Sequence, residues 1–403
     1  MEQVLYKLPD GWEWQSVKKL SHNIQYGHTA KAESNGNAKF LRITDIQGGK
    51  IDWQGVPTVS LEENEISKYA LNDDDLIFAR SGATAGKSIL IKNAPKDAVF
   101  ASYLIRIIPN KKDIFPEYLS YFFLTPAYWE VVGQNATGAA QPNINGTKLS
   151  EFIIPVAPQG EQKRIVEKLD ALLTRIDTAI EHLQESFTLA DALYASTINE
   201  QMIQAIELSG LSTVEKHIEQ IQTGTTPPTK QPEFYENGDI NWFAPSDFGD
   251  HDILSDSNKK LSQKAFDAGK ARKFDSGTIM LVAIGATIGK IGYLEQDASS
   301  NQQITGIKFH SNIIPRYAYY WFRFIKPEIL TNASTATLPI INQKGIKALS
   351  FCAPSKQLQE TICKNIDEVS SFRNSVKFEL NEKVELMRSL KASILDSAFK
   401  GGL

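Results

Sequence analysis

Ile165-Val-Glu-Lys-Leu-Asp-Ala-Leu-Leu-Thr-Arg-Ile176 and Ile362-Cys-Lys-Asn-Ile-Asp-Glu-Val-Ser-Ser-Phe-Arg373 stand 197 residues apart and carry one pattern. In the first copy Ile165, Leu169, Leu172, Ile176, Ile180, Leu183, Phe187, Ala190, Tyr194 and Ile198 recur at three- and four-residue steps. In the second, Ile362, Ile366, Val369, Val376, Leu380, Val384, Met387, Leu390 and Ile394 do the same, with Phe372 near the missing step. Neither stretch contains proline, and polar residues fill the other faces. This spacing predicts a long amphipathic helix written twice. At 1.5 Å per residue, each would be roughly 65–70 Å long. So long a stripe exceeds what one small domain can cover, so the two helices are expected to pair as a coiled coil. Independent helices, each docked on its own globular core, are the alternative.

Outward from the helices the repeat continues, but its register drifts. Gly27 matches Gly224 at a shift of 197, Asp45 matches Asp247 at 202, Gly82 matches Gly285 at 203, and Pro142 returns to 197 with Pro339. Length drift belongs to loops, and constant register to helices. The front segments contain short β-branched runs punctuated by Gly, Pro, Asn and Asp. In the first copy these are Lys39–Thr44, Asp75–Ala79, Ser88–Ile91 and Tyr103–Ile108; in the second, Ile240–Phe243, Thr278–Ile284, Ile291–Leu294 and Ile304–Phe309. Each copy also has an aromatic helical patch after proline, Pro116–Leu124 and Pro315–Phe322, read as core. The fold class is therefore α+β: two similar globular domains joined by two long antiparallel helices. The expected boundaries are 1–155 and 211–353 for the domains, and 156–210 and 354–403 for the helical spacers.

Composition sets further limits. The chain has 403 residues, 42% hydrophobic and 22% charged, with net charge −4. It can bury a sizeable core, and bulk charge offers no argument for a polyanionic partner. Its two cysteines, Cys352 and Cys363, read as structural or incidental thiols, without a disulfide framework or metal site. No apolar run approaches roughly 18 residues and no signal-like N-terminus is present, so a cytoplasmic, membrane-free setting is expected.

Tests for catalysis return little. Ser81-Gly-Ala-Thr-Ala-Gly-Lys87 and Ile284-Gly-Ala-Thr-Ile-Gly-Lys290 look like phosphate loops. A P-loop needs four residues between its glycines and Ser or Thr after the Lys; Gly82 and Gly86 enclose three, and the second copy continues with Ile291. A glycine turn presenting backbone N–H groups and one Lys to a phosphate remains open. There is no Asp/Asn-Pro-Pro-Tyr/Phe tetrapeptide and no Gly-x-Gly-x-x-Gly. Glu161-Gln-Lys163 resembles the tail of a nuclease signature, but its copy is Leu358-Gln-Glu360. The histidines form no metal-spaced pair, and Ser81 has no repeated partner. A non-catalytic chain is expected.

Several motifs together resemble the specificity (S) subunits of type I restriction–modification enzymes. They are Leu8-Pro-Asp-Gly-Trp-Glu-Trp14, Thr137-Gly-Ala-Ala-Gln-Pro-Asn-Ile-Asn145, the exit Ile153-Ile-Pro-Val-Ala-Pro-Gln-Gly-Glu-Gln-Lys163, and Ser393-Ile-Leu-Asp-Ser-Ala-Phe-Lys-Gly401. The second exit departs from the pattern, with Leu338-Pro-Ile-Ile-Asn342 and Cys352-Ala-Pro-Ser-Lys-Gln357. The resemblance implies two target recognition domains, each reading half of a bipartite, asymmetric double-stranded DNA target, with the helices as a ruler. It implies docking of two modification (methyltransferase) subunits and, through them, two restriction subunits. S-adenosylmethionine, ATP and Mg would be used by those partners, and no cofactor would be bound by this chain. A coiled-coil adaptor for proteins instead of DNA is the competing function.

Under the DNA reading, polar and charged residues on loops are the candidate readers. In the first copy these are His28, Lys31, Arg42, Arg80, Ser81, Lys87, Gln141 and Asn143. In the second they are Thr225, Lys230, Asp247, Lys290, Gln302, Gln303, Asn342 and Lys344. The repeated Lys87 and Lys290 suit phosphate contact; Arg80, whose counterpart is Ala283, suits base reading. Asn143, Asn145 and Asn342 could alternatively cap a helix entry or face the methyltransferase.

Overall fold

A computed structural model describes residues 6–134, 144–249, 253–334 and 338–403. The chain divides into two compact units. One comprises the chain up to Gln184 together with Asn381–Leu403, and the other Glu185–Leu380.

In the first unit an antiparallel four-stranded sheet runs in the order Ser21–Tyr26, Leu104–Pro109, Leu76–Ala79, Ser88–Leu90. A smaller sheet sets Ala38–Leu41 between Thr58–Val59 and, in parallel, Ala98–Phe100. The second unit repeats both sheets. Ile218–Thr223, Ile304–Phe309, Ile279–Val282 and Ile291–Leu294 take the same order, with Ile253–Leu254 added at the edge. Ile240–Phe243 lies between Lys259–Leu261 and, in parallel, Ser299–Ser300.

Two differences from the sequence reading have physical causes. The strands Ser21–Tyr26 and Ile218–Thr223 have polar, half-exposed faces, so they show no apolar run to find. Tyr103 is not in the following strand, which starts at Leu104; it stands in the preceding turn, 66% exposed. The aromatic patches are helices, Pro116–Phe122 and Pro315–Phe324, started by proline. Tyr118, Phe123, Tyr317, Tyr320 and Trp321 are fully buried in them or at their ends. Each core is closed by a repeated bond: Tyr118 donates to the Pro155 carbonyl (2.8 Å) and Tyr317 to the Cys352 carbonyl (2.9 Å). Cys352 and Cys363 are buried free thiols, and burial pushes Cys363 up to about 12.

The long helices span Gln159–Ser209 and Lys356–Phe399, 51 and 44 residues, or about 76 and 66 Å. Within each unit their local stretches pack against each other. In the second unit the pairing is antiparallel: Asp191 meets Arg373 and Lys377, while Gln201 meets Asn365 (3.0 Å). In the first, Lys391 pairs with Asp177 at 2.7 Å, and Leu169, Leu173 and Ile176 share a core with Leu395, Ala398 and Phe399. The seam passes through Leu173, not the half-buried Leu172. Phe372 and Leu390 point outward, 59% and 46% exposed. Arg373 fills the missing step instead, its guanidinium 5.1 Å from the Tyr194 ring and its charge on Asp191.

Burial alone would raise the Asp191 carboxyl, but the hydrogen bonds from Arg373 and Lys377 hold it below the usual aspartate range. A depressed carboxylate stabilises the fold above its unfolded pKa, and that stability is lost as pH falls through the folded value. Asp191 is half-exposed, so Asp191→Asn is expected to cost about 0.5–1 kcal/mol at neutral pH. Urea denaturation of both proteins at pH 7 and near pH 3 checks this: the gap should close in acid.

Candidate nucleic-acid interface

In both units one strand end crosses another with no room for a side chain. A Cβ on Gly27 would lie 2.3 Å from the carbonyl oxygens of Phe100 and Ala101. On Gly224 it would lie 2.3 Å from the Asn301 carbonyl oxygen. The crossing delivers the residues flanking each glycine to a polar face beside the Gly-Ala-Thr-x-Gly-Lys turn.

That turn is a hairpin connection, with Gly82, Gly86, Gly285 and Gly289 all at positive φ, where glycine is unstrained. Gly86 N–H donates to Ala79 and Gly289 N–H to Val282, each at 2.9 Å. Ala85 and Lys87 donate back to Gly82 and Thr84, and Ile288 and Lys290 to Gly285 and Thr287. These N–H groups close the turn and are spent inside it. The repeated lysines differ too. Lys87 is exposed and unpaired among the described residues, whereas Lys290 donates its Nζ to the Phe248 carbonyl at 2.9 Å.

In the first unit the turn and the crossing bring Tyr26, Arg80 and Tyr103 together. Arg80 N–H donates to the Tyr103 carbonyl (2.9 Å), and Ile144 N–H donates to the Arg80 carbonyl (2.8 Å). The Arg80 guanidinium sits 5.2 Å from the centre of the Tyr26 ring. The Tyr26 hydroxyl accepts from Gly146 N–H at 2.7 Å, at the start of helix Gly146–Glu151. Asn145 caps that helix, accepting from Lys148 N–H at 2.8 Å. Ser81 is half-buried beside Arg80, and its side chain caps nothing. Tyr103 carries no signal as a reader in the sequence, because it sits at the mouth of an apolar run.

Two other first-copy candidates, His28 and Arg42, are engaged inside the unit. His28 lies between Glu65 (3.3 Å) and the Ala30 N–H (3.0 Å). Arg42 is clamped on Asp45 through Nε (3.0 Å) and Nη2 (2.8 Å). Lys31 is exposed and makes no ion pair among the described residues. Gln141 and Asn143 lie outside the described residues.

The second face uses different side chains on the same frame. Thr223 occupies the place of Tyr26, Ala283 that of Arg80, and Gln303 that of Tyr103. Gln303 N–H is held by Asn301 Oδ1 (2.9 Å), and its carbonyl accepts from Ala283 N–H (2.8 Å). Thr225 donates to the Lys270 carbonyl (3.1 Å), Thr226 bonds Gln302, and Gln343 donates to Thr223 Oγ1 (3.1 Å). Asn342 caps helix Gln343–Ala348 through Gly345 N–H (2.8 Å), as Asn145 does in the first copy. Lys230 and Lys344 are exposed and unpaired among the described residues. Asp247 is not free to read a base. Its carboxylate accepts from the N–H groups of Ala244 (2.7 Å) and Asn258 (3.2 Å), fixing the turn as Asp45 does on Arg42 N–H (2.8 Å).

Sequence reading also passed over the residue that hangs each domain on its helix. Gln162 is fully buried. It accepts from Phe115 N–H (2.9 Å) and donates to the carbonyls of Asp113 (3.2 Å) and Ala157 (2.8 Å). Gln359 repeats this with Ile314, Asn312 and Pro354. Neighbouring Glu161 accepts from Trp12 Nε1 at 2.9 Å, so the nuclease-like triplet is an anchor.

This twice-built face on paired helices coincides with a family match. The type I restriction modification DNA specificity domain matches residues 9–186 and again 215–386. The chain belongs to this family. The type I restriction–modification specificity subunits it resembles include the StySPI subunit of Salmonella potsdam, 23% identical over 98% of this chain and 90% of that one. The EcoBI subunit of Escherichia coli is 22% identical, covering 99% and 88%. A chain from a structural study of complex assembly and conformational transition of the type I R-M system has TM-score 0.75 at 18% identity, over 99% of this chain and 100% of that one. The HsdS subunit from Thermoanaerobacter tengcongensis gives 0.52 at 19% identity over 99% of each. At that identity these structures speak for the fold. Among the described residues, no three His, Cys, Asp or Glu side chains could hold a metal ion, and no helix is long and apolar enough to cross a membrane.

Proposed function

We propose that this specificity subunit recognises a bipartite, asymmetric sequence in double-stranded DNA, one half with each unit. One observation carries the reading. The same glycine crossing and turn present Tyr26, Arg80 and Tyr103 in one copy, and Thr223, Ala283 and Gln303 in the other. One frame with exchanged side chains is what two different half-sites require. Arg80, propped on Tyr26, suits the O6 and N7 acceptors of guanine in the major groove.

The chain itself is non-catalytic in this reading. Two modification subunits dock on it, and two restriction subunits join through them. Adenine-N6 methylation with S-adenosylmethionine, and cleavage with ATP and Mg, belong to those partners in the cytoplasm. Outward apolar side chains on the long helices, Leu189 and Leu193 on one and Leu386 on the other, favour a protein partner there.

The test is to express the chain with its cognate modification subunit and map N6-methyladenine across the host genome. A split motif with a fixed gap is the expected result. A stable complex that leaves no motif would instead support the protein adaptor. Deleting four residues from each long helix should shorten the preferred gap by nearly two base pairs, since about 6 Å of helix is set against about 3.4 Å per base pair. An unchanged gap would remove the ruler role.

A further inference from the structure

The two copies part company most in charge, in the connection between the small sheet and the next strand of the large one. In the second unit, Lys259–Thr278 holds six basic residues (Lys259, Lys260, Lys264, Lys270, Arg272, Lys273) against two acidic ones, Asp267 and Asp275. The matching stretch of the first unit, Thr58–Asp75, holds six acidic residues (Glu62, Glu63, Glu65, Asp73, Asp74, Asp75) against Lys68 alone.

The charges are also used differently. Acidic residues of the first copy turn inward: Asp74 meets Lys92 (2.6 Å) and Lys111 (2.5 Å), Asp75 meets Arg106 (3.6 Å), and Asp73 accepts from Ala94 N–H (2.9 Å). In the second copy Lys260 and Lys273 pair with Asp256 and Asp297. Lys259, Lys264, Lys270 and Arg272 are exposed and, among the described residues, meet no carboxylate. Their segment is stitched to the reading face. Gln222 donates to the Lys273 carbonyl (2.8 Å), Arg272 Nη1 to the Thr223 carbonyl (2.5 Å), and Thr225 to the Lys270 carbonyl (3.1 Å). Uncompensated cations fixed beside a base-reading surface match the phosphates flanking the bases being read.

We infer that Lys259–Lys273 is a phosphate strap that grips the DNA backbone at the second half-site, with no equivalent at the first. This rests on the DNA reading above. Such contacts give affinity without sequence preference, and each phosphate neutralised adds about 0.9 to the salt slope of binding.

The test uses the full chain assembled with its modification subunits, binding a duplex with the mapped motif and an unrelated duplex of equal length across a salt series. The variant K259Q/K264Q/K270Q changes only exposed ends that meet no carboxylate among the described residues, so folding should be retained. It is expected to lower the slope of log affinity against log salt by about 2–3, equally on both duplexes. The K259R/K264R/K270R variant should keep the wild-type slope. A glutamine variant with the wild-type slope overturns the strap. If the wild-type complex fails to prefer its motif, the recognition reading fails, while the slope comparison still judges the strap.

Discussion

Gln162→Leu is expected to destabilise the first unit by about 4 kcal/mol. The leucine nearly matches glutamine in volume, so the cavity contribution is small. What is lost is polar. The Phe115 N–H and the Asp113 and Ala157 carbonyls all depend on one buried amide. Each buried backbone group left without a partner costs about 1–3 kcal/mol. Phe115 is also the N-cap of the helix Pro116–Phe122, whose side chain offers no cap of its own. The loss should therefore be local before it is global. Hydrogen exchange should speed up first at Phe115 and through that helix. Gln359→Leu should do the same to Ile314 and the helix Pro315–Phe324. Unchanged protection in either helix would show that the amide is not what holds it.

Gly224→Ala is expected to cost about 3 kcal/mol, and Gly27→Ala about as much, with the polar face beside the glycine turn lost in each case. Neither glycine has a positive φ, so backbone strain is not the reason. The reason is space. The nearest atoms to the new methyl are main-chain oxygens of the opposing segment, joined at Gly224 by the Ser300 hydroxyl, all at 2.3 Å. A carbonyl held by its own N–H donor cannot rotate away as a surface side chain can, and overpacking of this kind costs about 1–3 kcal/mol, occasionally more. Gly160→Ala is the control. It lies in the helix Gln159–Ser209 with nothing within 4 Å of the added carbon, so alanine should gain about 0.5–1 kcal/mol. Thermal melting of the three variants checks the ordering; equal melting temperatures for Gly224→Ala and wild type would contradict the crossing.

Much of this architecture is legible in the residues because it rests on periodicity. Strong 3.6-residue spacing marks both long helices, and the helices after Pro116 and Pro315 are marked by their prolines and aromatics. The seam is misread where adjacent residues compete, at Leu172 against Leu173, at the outward Leu390, and where a long cation replaces an apolar side chain, at Arg373. The strands Ser21–Tyr26 and Ile218–Thr223 escape because an edge strand with polar faces lacks the apolar signal. At the reading face, repetition alone picks out Gly27, Gly224 and the glycine turn. It cannot separate a reader from a brace. Arg42, His28, Asp247 and Lys290 are chemically suited to DNA, yet each is occupied by a partner that only folding supplies. Tyr103, Gln162 and Gln359 pass unnoticed for the opposite reason: a turn tyrosine and a buried amide look ordinary until their surroundings are known.

The first unit is closed by a distant segment, Asn381–Leu403. Phe399 packs at 4.8 Å on Tyr118 and 5.5 Å on Phe122, and Tyr6 donates to the Phe399 carbonyl at 2.5 Å. The second unit, by contrast, is one uninterrupted segment, Glu185–Leu380. During synthesis the usual order of domain folding is therefore reversed. The unit that leaves the ribosome second can complete its core first. The unit that leaves first must wait, with Tyr118 and Phe122 uncovered, until the final turns of the C-terminal helix emerge. Truncation just after Leu380 would then spare the second unit and unfold the first.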